Sequence, residues 1–245
     1  MWKGIDVSDN QGTINWAQIP ENVDFAVLRS VRRSGKTDHQ FAANLEGCRE
    51  RNIQVSVYKY TYATTPEAAR QEAQQVVALL QSYGLAGTMI WWDVEDKDVL
   101  RPLGVTKLTE CIRAAQEVVE AAGYGFGLYV GLYVYKERWF DFDAFAGARL
   151  WVARYYHGYH TMQFADEADQ NYKPSVNRWL TAWQYTSCGE IAGIKDDVDL
   201  NISYEDPAAW TQHVAESGVI YTVSVADVWT RDQAEAIQQQ LAPLG

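Results

Sequence analysis

Eight short apolar segments recur along the chain, and their order constrains the fold more than any other feature. They are residues 3–8, 25–31, 53–60, 88–95, 126–131, 149–155, 180–186 and 197–201. Their β-branched and aromatic content is typical of buried strands. Helices separate the earlier segments and loops the later ones, so we predict a modified (β/α)-barrel with eight strands and the last helices missing, roughly (β/α)5(β)3.

The helices have clear boundaries in the sequence. Thr65-Pro66-Glu67 is a strong helix start, with a capping threonine, a proline at the first position and an acid in the first turn. Periodic apolar residues then continue to about Tyr83, where Gly84 ends the pattern. A second amphipathic pattern covers 106–122 and ends at Gly123, and a shorter one covers 41–51.

The segment 88–96 ends abruptly in acidic residues. Side chains alternate along a strand, so Asp93 and Glu95 share one face about 6–7 Å apart, with Trp91 on the same face. Trp92 and Val94 face the other way. Two carboxylates placed like this can divide acid and base roles, although acids also follow strands simply because strand ends are solvated.

Other acids strengthen the catalytic interpretation. Asp6 follows the first strand and Asp199 lies in the last one. Barrel enzymes carry their chemistry at the C-terminal ends of the strands, and we place Asp6, Asp93, Glu95 and Asp199 all at such ends. The sequence therefore predicts a cluster of catalytic carboxylates.

Composition excludes some classes of function. The 245 residues carry a formal net charge of −11, which argues against a nucleic-acid partner. Ten Trp and 15 Tyr must line either the core or a groove that stacks flat groups such as sugar rings. The three cysteines and four histidines show no spacing typical of metal ligands, so we expect no metal and no cofactor.

The sequence gives no sign of a membrane segment or a leader. No run of about 18 apolar residues exists, so membrane insertion is not expected. Met1-Trp2-Lys3-Gly4 leads directly into the first strand rather than into a signal peptide. We therefore expect synthesis in the cytoplasm, and action outside it only after release by another agent or secretion by another route.

Seven short motifs, in order along most of residues 3–203, carry a resemblance to a known family. They are Gly4-Ile5-Asp6-Val7-Ser8; Val57-Tyr58 followed by Tyr60 and Tyr62; Asp93-Val94-Glu95; Gly127-Leu128-Tyr129; Leu150-Trp151-Val152-Ala153-Arg154-Tyr155; Trp183-Gln184-Tyr185; and Val198-Asp199-Leu200-Asn201. In these motifs the chain resembles the glycoside hydrolase family 25 lysozymes, also called Chalaropsis-type muramidases.

The resemblance implies a β/α barrel that cuts the β-1,4 bond between N-acetylmuramic acid and N-acetylglucosamine in peptidoglycan, in a phage endolysin or a bacterial autolysin. It implies Glu95 as the general acid and Asp93 as the group that holds the 2-acetamido substituent or assists charge build-up. Asp6 and Asp199 would set the potential and orient neighbours. The groove would be lined by Tyr58, Tyr62, Tyr129, Tyr155 and Trp183.

Some assignments stay open at this stage. Lys59 stands where the family often has a histidine, and Asp196, Asp197 and Asp199 lie close enough for a shift of register. Trp151 and Tyr155 suit the core as well as the groove. Alternative functions are an N-acetylglucosamine-specific, chitin-like glycosidase and a barrel that binds wall glycan without cutting it; intact carboxylates argue against the second.

The C-terminal part is predicted to differ from the rest. We assign residues 1–218 to the catalytic barrel, with a closing helix after Ser203 and Trp210 packed back on it. Residues 219–245 read as a strand and a helix, which is too little for a separate core. This tail either packs on the barrel or begins a cell-wall-binding domain.

Overall fold

The structure, a computed structural model, describes residues 1–211. Its centre is a closed barrel of eight strands. The strands are β1 (Trp2–Val7), β2 (Phe25–Arg29), β3 (Gln54–Tyr60), β4 (Met89–Asp93), β5 (Gly125–Gly131), β6 (Arg149–Ala153), β8 (Ala182–Glu190) and β9 (Val198–Ser203), with a short β7 (Met162–Gln163) attached to β8. The helices are α1 (Phe41–Glu50), α2 (Pro66–Ser82), α3 (Gly104–Ala121) and α4 (Leu132–Glu137). The predicted barrel class is confirmed.

The direction of the last strand differs from a regular (β/α)-barrel. Strands β1 to β6 are parallel, and β6 pairs in parallel with β8. Strand β9 then runs antiparallel to both β8 and β1, which closes the sheet. A short loop, residues 191–197, makes this reversal, because antiparallel neighbours need no crossover helix.

Three details of the predicted element order are wrong. The first connection carries only 3-10 turns, at Asp9–Gln11 and Trp16–Gln18, in place of a helix. The helix α4 occupies the fifth connection of the predicted barrel but matches none of the three helix patterns in the sequence, because six residues are too few to show a helical period. The predicted long loop after β6 contains β7 and a 3-10 turn at Gln170–Tyr172.

The N-terminus of α2 forms as its sequence predicts. Thr65 Oγ1 accepts a hydrogen bond from the Ala68 amide, and Pro66 occupies the first turn. These contacts satisfy an amide that the helix cannot pair internally. Inward-facing Ala73, Val76 and Leu80 then pack in the large outer core between helices and barrel.

A second, smaller core fills the inside of the barrel with aromatic rings. Trp91 contacts Trp151 edge-on, with ring centres 5.6 Å apart, and Trp210 at 5.2 Å. Trp210 belongs to a 3-10 turn at Pro207–Trp210 and also contacts Phe25 at 4.9 Å. The predicted packing of Trp210 is confirmed, but a strand end and a 3-10 turn replace the expected helix within residues 203–211. These rings form a solid floor beneath one end of the barrel.

Residues 212–245, which include the end of the predicted barrel domain and the predicted strand–helix tail, lie outside the described part of the chain. Within residues 1–211, no helix has both the length and the apolar character needed to cross a membrane.

The aromatic floor requires a residue without a side chain on β5. A Cβ atom at Gly127 would lie 2.5 Å from the Trp91 ring. We expect Gly127→Val to lower the free energy of unfolding by about 1–3 kcal/mol, because the ring must move or the strand must shift. Gly147→Val is the matched control, since its Cβ would meet no atom within 4 Å. Equal denaturation midpoints for the two variants would contradict this packing.

Candidate active site

A cavity of about 590 Å³ opens at the barrel end opposite the aromatic floor. The ends of parallel strands and the start of β9 meet there. Its wall contains the four predicted carboxylates Asp6, Asp93, Glu95 and Asp199, and the four predicted tyrosines Tyr58, Tyr62, Tyr129 and Tyr155. Eight of the nine predicted site residues therefore lie together.

Asp199 reaches this cavity by a different route from the one predicted. It is the second residue of β9, so it lies at the start of a strand rather than at a C-terminal end. Because β9 is antiparallel to β1, Asp199 pairs directly with Asp6. Directly opposed residues on one face of such a pair have Cβ atoms about 4.5–5.5 Å apart. Burial and the neighbouring carboxyls of Asp6 and Glu95 raise the pKa of Asp199 well above its ordinary range.

Asp6 is held by two amides. Its Oδ2 accepts hydrogen bonds from Asn201 Nδ2 at 2.7 Å and from Gln184 Nε2 at 2.9 Å. Burial raises the pKa of Asp6 to about 6, and these two donors partly offset that rise. Asp6 is thus a fixed, hydrogen-bonded carboxyl rather than a solvated strand end.

Further donors fix the orientation of both amides. Trp151 Nε1 donates to Asn201 Oδ1 at 3.0 Å, while the Tyr129 and Tyr155 hydroxyls both donate to Gln184 Oε1 at 2.7 Å. With both oxygens occupied as acceptors, the amide nitrogens of Asn201 and Gln184 must face Asp6. Trp151 therefore packs in the inner core and also lines the bottom of the cavity.

Asp93 is the last residue of β4 and is buried. Its Oδ1 is shielded from solvent and has no hydrogen-bond partner within the described residues. Burial raises the pKa of Asp93 well above its ordinary range, and the carboxyls of Glu95 and Asp6 add to the rise. A buried acceptor without a donor is costly, so this atom is suited to a donor from a ligand.

Glu95 lies two residues beyond the end of β4 and is only partly buried. Burial, together with the charges of Asp6 and Asp96, raises its pKa to about 7. The Tyr133 hydroxyl donates to the Glu95 carbonyl oxygen at 2.9 Å, which fixes the backbone at this position. Glu95 is therefore a carboxyl that holds a proton near neutral pH and still reaches the cavity.

Trp183 is the predicted site residue that the structure does not bring to the cavity. Its side chain is fully buried in the outer core, and its Nε1 donates to the Arg154 carbonyl oxygen. Its neighbour Gln184 faces the barrel interior instead, because successive strand residues face opposite sides. Of the residues in the motif Trp183-Gln184-Tyr185, the one that lines the cavity is Gln184.

Lys59 faces away from the cavity, into the layer between β3 and α2. It is buried, donates to the Tyr60 carbonyl oxygen at 2.7 Å and lies 3.5 Å from Glu72 Oε1. Burial lowers the pKa of Lys59, and the Glu72 charge opposes that change. Glu72 also accepts from the Thr61 hydroxyl and the Tyr62 amide, so this pair holds the loop after β3.

A second cavity of about 360 Å³ adjoins the first at Glu95 and Tyr155. Its wall includes Leu132, Tyr133 and Tyr159 and is mainly apolar. Glu95 thus lies where an acidic cavity meets a mainly apolar one. Within residues 1–211, no group of three or more acidic, histidine or cysteine side chains is placed to hold a metal ion.

Comparison with known proteins identifies related folds. Among solved structures, the chain is similar to the catalytic domain of endolysin ply40 from bacteriophage P40 of Listeria monocytogenes, with 26% identity, a TM-score of 0.67, and coverage of 85% of this chain and 96% of that one. It is also similar to the modular autolysin LytC of Streptococcus pneumoniae, with 27% identity, a TM-score of 0.65, and coverage of 83% and 46%.

A lysozyme from Streptomyces coelicolor, 20% identical, shares the fold with a TM-score of 0.64 and coverage of 86% and 95%. Among curated protein sequences, none matches this chain. The family model described as "Glycosyl hydrolases family 25" matches residues 5–194, which is most of the chain. The chain therefore belongs to glycosyl hydrolase family 25 and is a glycoside hydrolase of the lysozyme type.

Proposed function

We propose that this enzyme hydrolyses bacterial cell-wall peptidoglycan at the β-1,4 bond between N-acetylmuramic acid and N-acetylglucosamine. The observation that carries the proposal is the pairing of Glu95, with a pKa of about 7, and the unpartnered buried Oδ1 of Asp93 in one cavity. The similar endolysin and autolysin support the choice of substrate. The enzyme would act on the wall after release from the cell or secretion.

Glu95 is the general acid. At neutral pH about half of the Glu95 carboxyls carry a proton, since the pKa is near 7. The proton passes to the glycosidic oxygen as the bond to C1 breaks. The same carboxylate then takes a proton from the water that attacks C1 in the second step.

Asp93 acts on the sugar that remains in the acidic cavity. Its Oδ1 accepts the N–H of the 2-acetamido group, and the acetamido carbonyl oxygen attacks C1 to form a cyclic oxazolinium ion. Water opens this ring, so the released sugar retains its configuration and no sugar is bound to the protein. Asp6 and Asp199 face this centre, and their oriented carboxyls stabilise the positive charge that develops at C1.

Two alternatives have specific consequences. A chitin-like glycosidase would cut chains of N-acetylglucosamine alone, and a binding protein would retain wall fragments without new reducing ends. Four carboxyls are clustered and largely shielded from water, which is unfavourable for folding. This arrangement favours catalysis over binding, because uncharged sugar rings are not stabilised by such a cluster unless positive charge develops on them during the reaction.

The identity of the new reducing ends tests the substrate assignment. Digested peptidoglycan is reduced with borohydride, hydrolysed and analysed for amino-sugar alcohols. We expect muraminitol as the main product. Glucosaminitol as the main product would place the cut at the other bond, and no new alcohol would indicate binding alone.

The role of Glu95 predicts both a rate and a pH profile. We expect Glu95→Gln to lower the rate of wall hydrolysis by about 10²–10⁴, because the amide cannot donate an acidic proton. For the unaltered enzyme, activity should fall as the pH rises through about 7, where Glu95 loses its proton. Glu21→Gln, an exposed position outside the cavity, serves as the control. More than a tenth of the rate left in Glu95→Gln would exclude this assignment.

Experiments on Asp93 distinguish attack by the sugar's own acetamido group from attack by a nucleophile of the protein. A thiazoline analogue of the cyclised sugar should inhibit, because it mimics the oxazolinium ion. Asp93→Ala should lower the rate more than Asp6→Ala, since Asp6 acts without touching the reacting acetamido group. A sugar trapped covalently on Asp6, Asp93 or Asp199, or a product of inverted configuration, would contradict this mechanism.

A further inference from the structure

A short turn after β2 brings two arginines to the rim of the acidic cavity. Arg32 and Arg33 line the cavity, and the turn is closed by hydrogen bonds from the Arg32 amide to the Lys36 carbonyl oxygen and from the Gly35 amide to the Arg32 carbonyl oxygen. Gly35 has a φ of +78°, a conformation that glycine adopts without strain. The turn therefore has a defined shape.

The base of this turn is fixed by ion pairs. Arg29 Nε donates to Asp38 Oδ2 at 2.7 Å, and Arg29 also pairs with Asp9. Asp38 accepts the Asp9 amide as well, and its own amide donates to the Ser30 carbonyl oxygen. The charge of Arg29 is therefore neutralised by Asp38 and Asp9, and these ion pairs hold the turn in place beside the cavity.

Arg32 and Arg33 have no such partners. Within residues 1–211, neither guanidinium makes a salt bridge or a side-chain hydrogen bond, and Arg32 Nε is shielded from solvent without a partner. Every other arginine in this range forms a salt bridge with a carboxylate or donates to a backbone carbonyl oxygen. In a chain with a net charge of −11, two unpaired arginines in one cavity are available for an anion from outside.

Arg33 connects to the cavity that holds the carboxyls through stacked rings. The Arg33 guanidinium lies over the Tyr62 ring, 4.3 Å from its centre, and Tyr62 stacks on Tyr60 at 4.7 Å. The Tyr62 amide donates to Glu72, which fixes the backbone here. Tyr60 and Tyr62 line the same cavity as Asp93, so the anion site and the acetamido site are two parts of one cavity.

We propose that Arg32 and Arg33 form an anion-binding subsite that recognises a carboxylate of the peptide attached to the muramic acid. This inference rests on the proposed function. In that mechanism the sugar held by Asp93 is N-acetylmuramic acid, whose lactyl group carries the peptide. A peptide carboxylate on that sugar can then meet the planar guanidinium groups beside Tyr62. The subsite would select peptide-bearing wall glycan over chitin-like chains, which carry no carboxylate.

The test uses one glycan in two charge states. Soluble peptidoglycan fragments, free of secondary wall polymers, are compared with the same fragments after their carboxyl groups are converted to carboxamides. The proteins are the unaltered enzyme, the double variant Arg32→Ala/Arg33→Ala and Lys36→Ala. Lys36 is a matched control, because it is an exposed cation in the same turn that does not line the cavity.

We expect the double variant to lose about tenfold in kcat/KM on the native fragments, the scale of a lost hydrogen-bonded charge pair, and to match the unaltered enzyme on the carboxamide fragments. Lys36→Ala should match the unaltered enzyme on both. Thermal melting of the three proteins should coincide.

Two results would overturn the subsite: an equal loss on both substrates, or no loss on the native fragments. Both can occur while the unaltered enzyme still releases muramic acid ends, so the proposed function would survive them. Failure of the unaltered enzyme to cut either substrate would instead overturn the proposed function and the subsite with it.

Discussion

The antiparallel pairing of β9 with β1 is the contact on which the site depends. It closes the barrel, and in the same step it sets Asp199 opposite Asp6 and brings Asn201 to the Asp6 carboxyl. Asn201 in turn is oriented by Trp151, a ring of the inner core. The polar network is therefore continuous with the aromatic floor, and a change in the packing of the floor would reach the Asp6 carboxyl through two hydrogen bonds.

Clustering carboxyls in this way lowers the free energy of unfolding at neutral and higher pH, where the buried groups have to ionise. The pKa of Glu95 rises from 4.5 to about 7 and that of Asp6 from 3.8 to about 6, so the folded chain retains protons that the unfolded chain releases. Any stability they contribute is complete below about pH 4 and is lost as the pH rises through 6 to 7. The neutral amides around Asp6 limit this cost without supplying a positive charge that would lower the pKa of Glu95.

Much of this arrangement is predictable from the sequence, and what was missed has physical reasons. Acidic residues after apolar segments identified Asp6, Asp93 and Glu95 directly. Trp183 and Gln184 were harder, because a barrel strand is buried on both faces and its composition does not show which side points inward. Asp199 lies on β9, the strand that runs in the reverse direction. That direction depends on how the barrel closes and cannot be read from the sequence of β9 alone. Arg32 lies in a polar turn without any periodic signal.

The groove is chemically asymmetric, and under the proposed function this asymmetry would give a bound glycan a direction. Unpaired guanidinium groups and stacked tyrosines lie on one side of Glu95, and a mainly apolar wall with Tyr133 and Tyr159 lies on the other. Under the proposed function, a glycan of alternating sugars, only one of which carries an acidic peptide, would fit such a groove in one orientation. The acidic centre would repel that peptide, so the proposed arginine subsite would both attract the charge and keep it away from Asp93 and Glu95. Specificity for one of two chemically similar bonds would then follow from placing a charge, rather than from any contact with the bond itself.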